Sequence, residues 1–187
     1  RETINEMIDK LVTDSVDAYA DEKLYPEEWD YEGLYKHLSQ YFLTEDIMTP
    51  QDMEEYSRQE LLERLLEIAH AEYQDRVDML GDAMFGQLEK AIMLRVVDNK
   101  WMEHLDNMDM LREGIGLRAY GQKNPLVEYK FEAFDMFQNM IAAIQDETIM
   151  ALYKIRAQLI QEIEEPVDHL EGAQPHHEDV LEPQNID

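Results

Sequence analysis

Apolar residues recur at helical spacing through most of the chain, and the runs divide it into segments. Ile4, Met7, Ile8, Leu11, Val12, Val16 and Tyr19 fall three or four positions apart, which places them on one face of a helix. The pattern fades at Asp21-Glu22-Lys23, ahead of Pro26. Thr3 with Glu6 fits a capping box at the start of this helix; the other reading is a helix already under way at residue 1. Residues 23–56 read as short helices and turns, with Leu34, Leu38, Tyr41 and Phe42 on one face. Thr49-Pro50 marks a break, with Pro at a helix-start position. Ser57-Arg58-Gln59-Glu60 is a capping box, and Leu61, Leu62, Leu65, Ile68, Ala69 and Tyr73 follow it on a helix reaching Leu80. Gly81 punctuates.

The second half holds the longest patterns. Phe85, Leu88, Leu94, Val97, Trp101, Leu105, Met108, Leu111 and Ile115 form one near-regular series, and Phe134, Phe137, Ile141, Ile144, Thr148, Ala151, Ile155, Leu159 and Ile163 form another. Asn124 suits an N-cap with Pro125 in the first helical position. Two such seams joined by a short loop predict an antiparallel helical hairpin with coiled-coil-like packing, meeting at residues 115–124. Arms of roughly 30–40 residues reach about 45–60 Å. Phe134, Phe137, Ile141 and Ile144 are expected to be largely buried against the first arm or the helix at the start of the chain. From Glu164 periodicity is lost, and Pro166, Pro175 and Pro183 sit among acids, His and Gln, as in a disordered acidic tail. No strand alternation and no internal repeat is visible. The expected class is all-α.

Composition narrows the function. Of 187 residues, 43 are Asp or Glu and 16 Lys or Arg, giving a formal charge of -27, which argues against nucleic acid as the main partner. There is no cysteine, so neither a disulfide framework nor a thiolate metal site is available. No apolar run approaches the ~20 residues of a membrane span. The chain opens directly on a helical pattern without a starting Met or a signal-peptide pattern, and is expected to be a piece of something longer. Against the acidic background, residues 111–130 carry Arg112, Arg118, Lys123 and Lys130 but only Glu113 and Glu128. Gly114, Gly116 and Gly121 joint the same stretch, with Tyr120 among them. An exposed, locally basic tip with an aromatic residue at its centre is suited to contact.

Chemistry of its own is hard to assemble from these residues. Glu67-Ile68-Ala69-His70 matches half of a helical di-iron site, but no second copy exists, so an ion pair on a helix surface is the plainer reading. His104, beside Trp101 and Glu103, lacks a nucleophile or phosphate loop nearby and reads as a packing or hydrogen-bonding residue. His169, His176 and His177 lie in the tail and make a weak metal site. No glycine-rich phosphate loop occurs. The twelve Met serve as filler of helical cores. The segment is therefore expected to hold no catalytic residue and no metal.

One stretch carries a family likeness. Trp101, Glu103, His104, Leu105, Met108, Asp109, Leu111, Arg112, Gly114, Ile115, Leu117, Arg118, Tyr120, Gln122, Lys123, Pro125, Glu128, Tyr129, Lys130, Glu132 and Phe134 keep their spacing without a gap across an irregular loop. The run closely resembles the SecA family, the ATPase motors of bacterial preprotein translocation. Glu2-Thr3-Ile4-Asn5, Asp17-Ala18-Tyr19, Trp29-Asp30 and Gly33-Leu34 extend the resemblance upstream, so that it covers residues 1–163. It implies the end of a long scaffold helix at 1–22, a helical wing at 23–81, a two-helix finger with its return into the scaffold at 82–163, and a C-terminal linker at 164–187. It further implies a finger tip (Leu117, Arg118, Tyr120, Gln122 and Lys123) that enters the mouth of the SecYEG channel and touches the preprotein. ATP with Mg would belong to upstream nucleotide-binding domains of the parent, and zinc to a C-terminal tail absent from this sequence. The implied location is cytoplasmic and peripheral, at the cytoplasmic face of the bacterial plasma membrane. Phe131 is a departure from a family member that has a basic residue there, leaving fewer positive charges beside the tip. The alternative, from the residues alone, is a stand-alone acidic helical adaptor that binds a partner helix.

Overall fold

Helix formation follows the local signals closely. The structure, a computed structural model, describes residues 1–115 and 124–164, with side chains described as far as Ile155. Its helices are α1 (Glu2–Tyr19), α2 (Tyr31–Leu38), α3 (Pro50–Met53), α4 (Arg58–Leu80), α5 (Asp82–Gly114) and α6 (Pro125–Glu164), with a short 3-10 turn at Pro26–Glu28. Among the described residues the fold is all-α. Residues 1–156 form one compact unit, and residues 157–187 cluster separately. The acidic tail lies outside the described residues.

The helix ends show why the elements begin where they do. Ser57 accepts from the backbone of Glu60 while the Glu60 carboxylate takes the Ser57 amide at 3.0 Å, so two orphan donors of α4 are satisfied reciprocally. These bonds from Ser57 hold the Glu60 carboxyl below its ordinary pKa. Thr49 and Asp52 repeat the device around Pro50. Asp30 caps α2 by accepting from Gly33 N at 2.8 Å, and a Cβ on Gly33 would fall 2.2 Å from the Asp30 carboxylate and 2.7 Å from the Tyr19 ring. Thr3 and Glu6, by contrast, do not form their box: α1 starts at Glu2 with no side-chain cap.

The core is built on α1. Ile4, Ile8, Val12 and Val16 are all at most 1% exposed. α4 runs antiparallel to α1, with Arg58 paired to Asp17, His70 to Asp9 at 2.7 Å, and Arg1 to Asp82 just beyond the α4 C-terminus. Leu61, Leu65, Ile68, Ala69, Tyr73 and Val77 of α4 are buried, as are Leu34 and Leu38 of α2. Tyr41, Phe42, Leu43 and Met48 from the loop after α2, and Met53 of α3, close the layer. The C-terminal half of α6 enters the same core through Ile149, Leu152, Tyr153 and Ile155. Each fully buried aliphatic side chain contributes about 1.5–3 kcal/mol.

The expected hairpin seam is a correction. Phe134 is 61% exposed, Phe137 40% and Ile141 37%, and Ile144 is half-buried. Leu94, Trp101 and Leu105 of the facing series are exposed as well. Their spacing does place them on one face, but that face is not covered by the opposite arm, which touches it at Phe137 through His104. Phe85 and Glu89 are anchored in the core, and helical periodicity then carries Val96, Lys100 and His104 toward α6 instead. Phe85→Ala should therefore cost about 3–5 kcal/mol, as expected for a buried Phe. Phe134→Ala should cost under ~1 kcal/mol, since a surface change seldom exceeds that. Chemical denaturation of the two variants checks the contrast.

Candidate functional site: a two-helix hairpin

α5 and α6 hold 33 and 40 residues, and what joins them is decided at each end by backbone chemistry. At the start of α6 the Asn124 side-chain oxygen accepts from Leu126 N at 3.0 Å, and its carbonyl accepts from Val127 N, with Pro125 having no N–H to satisfy. α5 ends at Gly114, its last turn closed by Ile115 N donating to Leu111 O. The expected contact residues Leu117, Arg118, Tyr120, Gln122 and Lys123 lie outside the described residues.

Polar contacts cross between the arms. Lys100 pairs with Glu147 across the hairpin and with Glu103 along its own helix at 3.5 Å, which raises the Lys100 pKa, mainly through the bond to Glu147. Lys100 meets Glu147 and, farther out, His104 meets Phe137, so residue numbers rise along α5 as they fall along α6: the arms are antiparallel. A groove of about 290 Å³ separates them, lined by Lys100, His104, Asn107, Asn139 and Met140. His104 stands between two rings, 5.8 Å from Trp101 and 6.0 Å from Phe137 by centroids, and serves in packing as its sequence context suggested. Trp101 and Phe137 thus lie on one side of the hairpin. With Leu94, Val97 and Leu105 on α5 and Phe134 and Ile141 on α6, they make that side an exposed apolar face.

The base of the hairpin is tied down by groups that sequence reasoning passed over. Tyr41 donates its hydroxyl to Asp146, Tyr73 to Glu89, and Tyr153 to the Ala69 carbonyl at 2.8 Å. Arg76, only 6% exposed, donates to the Tyr153 carbonyl at 2.9 Å and to the Glu72 carboxylate at 2.9 Å, and its guanidinium sits 5.0 Å over the Tyr153 ring. The only signal in the sequence was polar residues at inward positions of the helices, such as Glu89 one turn after Phe85. Glu67 and His70 do not converge: Glu67 pairs with Arg64 at 3.0 Å, and His70 with Asp9 of α1. Among the described residues no group of three or more His, Asp or Glu is placed to hold a metal ion.

Comparison with known proteins supplies what geometry does not. The model of the SecA wing and scaffold domain matches residues 1–156. The chain belongs to this family. It is 51% identical over 155 residues to protein translocase subunit SecA of Pelotomaculum thermopropionicum, which covers 83% of the chain and 18% of that relative. The SecA subunits of Desulforudis audaxviator and Desulforamulus reducens are 47% and 43% identical over 83% and 93% of the chain, and 18% and 21% of their own lengths. The chain thus spans about a fifth of the SecA relatives it matches. No helix among the described residues is long and apolar enough to cross a membrane.

The phenols that hold this part of the SecA wing and scaffold give it a pH signature. Burial first, and then the carboxylate partners of Tyr41 and Tyr73, raise the pKa values of Tyr41, Tyr73 and Tyr153 well above the ordinary phenol value of about 10. The folded state keeps these protons while the unfolded chain loses them. Their contribution to stability should be constant below about pH 10 and decline as pH rises beyond it. Melting temperature against pH should fall steeply in that alkaline window, and less steeply for Tyr41→Phe, which loses one such group.

Proposed function

We propose that the chain is the wing, scaffold and finger region of a SecA-type preprotein translocase. In this reading it passes ATP-driven motion of upstream nucleotide-binding domains to a preprotein moving through SecYEG. The contact is made by the tip between α5 and α6, at Leu117, Arg118, Tyr120, Gln122 and Lys123. The observation that carries the reading is family membership over residues 1–156 together with two antiparallel arms that meet at a basic, glycine-jointed stretch. ATP with Mg belongs to the upstream domains and zinc to a C-terminal tail beyond this sequence. The location is cytoplasmic and peripheral, at the inner face of the bacterial plasma membrane. A Tyr suits a tip that handles varied polypeptide, because a rigid aromatic with a polar end offers contact area at low entropic cost. Glycines on either side let it reorient, and Arg118 and Lys123 reach backbone carbonyls or acidic loops.

The exposed apolar face of the hairpin is what favours the second reading, an acidic helical adaptor. Membership in a family whose relatives are about five times longer favours the first.

The 187-residue chain on its own should neither bind ATP tightly nor hydrolyse it, since it has no phosphate-cradling loop. Saturable ATPase activity that survives purification controls would overturn this part. In the full-length protein, Tyr120→Ala should reduce preprotein transport strongly while nucleotide binding and melting temperature stay nearly unchanged. Phe or Trp at the same position should retain much more transport. A large drop in melting temperature for Tyr120→Ala, or unimpaired transport by it, would remove the polypeptide-contact role.

A further inference from the structure

The junction between α4 and α5 is held in an unusual way. Gly81 ends one helix and begins the next, at φ 80 and ψ 146, and α5 receives no side-chain cap there. A Cβ on Gly81 would meet nothing within 4 Å, so the space around it is open and the requirement for glycine is conformational. The bend itself therefore restrains little. Restraint comes from the first two turns of α5. Phe85 is fully buried, edge-on to Tyr73 of α4 at 5.6 Å and 76°. One turn later Glu89, 7% exposed, accepts the Tyr73 hydroxyl at Oε1, and the same oxygen lies 3.5 Å from Nε of Arg1, the residue that precedes α1. Arg1 also holds Asp82, the first residue of α5. α4, α5 and the start of α1 thus converge on one buried carboxylate. Farther along α5, Val96 alone is buried among the described residues.

We propose that Glu89 is a pin that sets the direction in which α5 leaves the body, and that Gly81 is the swivel it restrains. An apolar side chain at position 89 would adhere to Tyr73 and Phe85 equally well, but non-directional contact tolerates rotation of α5 about the bend. Hydrogen bonds weaken steeply when misaligned, so a buried carboxylate that accepts from Tyr73 of α4 and is ion-paired with Arg1 at the start of α1 selects one angle. Desolvating that carboxylate opposes folding, which makes it a poor choice for adhesion alone. Glu89 is on this account a positioning residue, and its role stands whatever the tip of the hairpin touches.

The absence of cysteine allows spin-label pairs to be placed cleanly in the 187-residue chain. Gln74→Cys with Asn99→Cys spans the bend from two exposed positions, and Glu6→Cys with Ala71→Cys spans the α1–α4 core from two others. Pulsed electron resonance should give one narrow distance for each pair. Glu89→Leu should abolish the single narrow distance across the bend and leave the core pair unchanged. Tyr73→Phe keeps the ring against Phe85 but removes the donor. It should broaden the same distribution to a smaller extent, which keeps the test open if Glu89→Leu fails to fold. A bend distance as narrow in both variants as in the parent would overturn the proposal. Equal broadening of the bend and core pairs would also overturn it, because Glu89 would then support the fold as a whole.

Discussion

Burial of one stripe on α1 is the contact on which the remaining architecture depends. Ile4, Ile8, Val12 and Val16 occupy a single helical face, and α4 lies antiparallel along it. α2 is fastened to the end of the same helix, where Asp30 N donates to Tyr19 O at 2.9 Å. An isolated helix of this length is marginal in water, so α1 exists as ordered structure because its neighbours cover it. The neighbours in turn have little else to cover: Leu61, Leu65 and Ile68 of α4 repeat at the spacing that matches the stripe. Removing that layer would leave α5 and α6 with a base made only of their own turns.

Polar ties then decide how the long helices leave this core. Apolar surface drives association but fixes no angle; directional groups supply the angle. Arg76, buried among Glu72, the Tyr153 ring and the Tyr153 carbonyl, sets α6 against α4. Tyr41 on Asp146 sets it against the loop after α2, and Tyr73 on Glu89 sets α5 against α4. Each of these groups would be costly to bury unpaired, so a shifted helix that lost its partner would be penalised by more than the lost bond.

Farther out the hairpin follows a different rule. Lys100, His104 and Asn107 line the groove between the arms, while Trp101, Leu105 and Phe134 are exposed. The arms keep their form through their own backbone hydrogen bonds and a few polar contacts such as Lys100 with Glu147. An arrangement that leaves its apolar side uncovered in this chain agrees with a segment that is about a fifth of the SecA relatives.

The signals legible in the sequence were those satisfied within a turn or so of chain. Ser57 with Glu60, Thr49 with Pro50, Gly81, and Asn124 with Pro125 each mark a helix end, because an orphan amide or carbonyl is capped by residues a few positions away. Spacing also told which residues share a face, and with it the all-α class and the two long arms; the SecA motif, an irregular run that no periodicity generates, told the family. Which neighbour covers a face was not legible. Leu94, Trp101 and Leu105 stand in regular series whether or not anything packs on them, and the anchoring of Phe85 and Glu89 in the core left that series exposed. The pairs that tie the hairpin to its base join Tyr73 to Glu89 and Tyr41 to Asp146, which lie 16 and 105 residues apart. Contacts at such separations leave no periodic trace, so they were settled by how the helices pack in three dimensions.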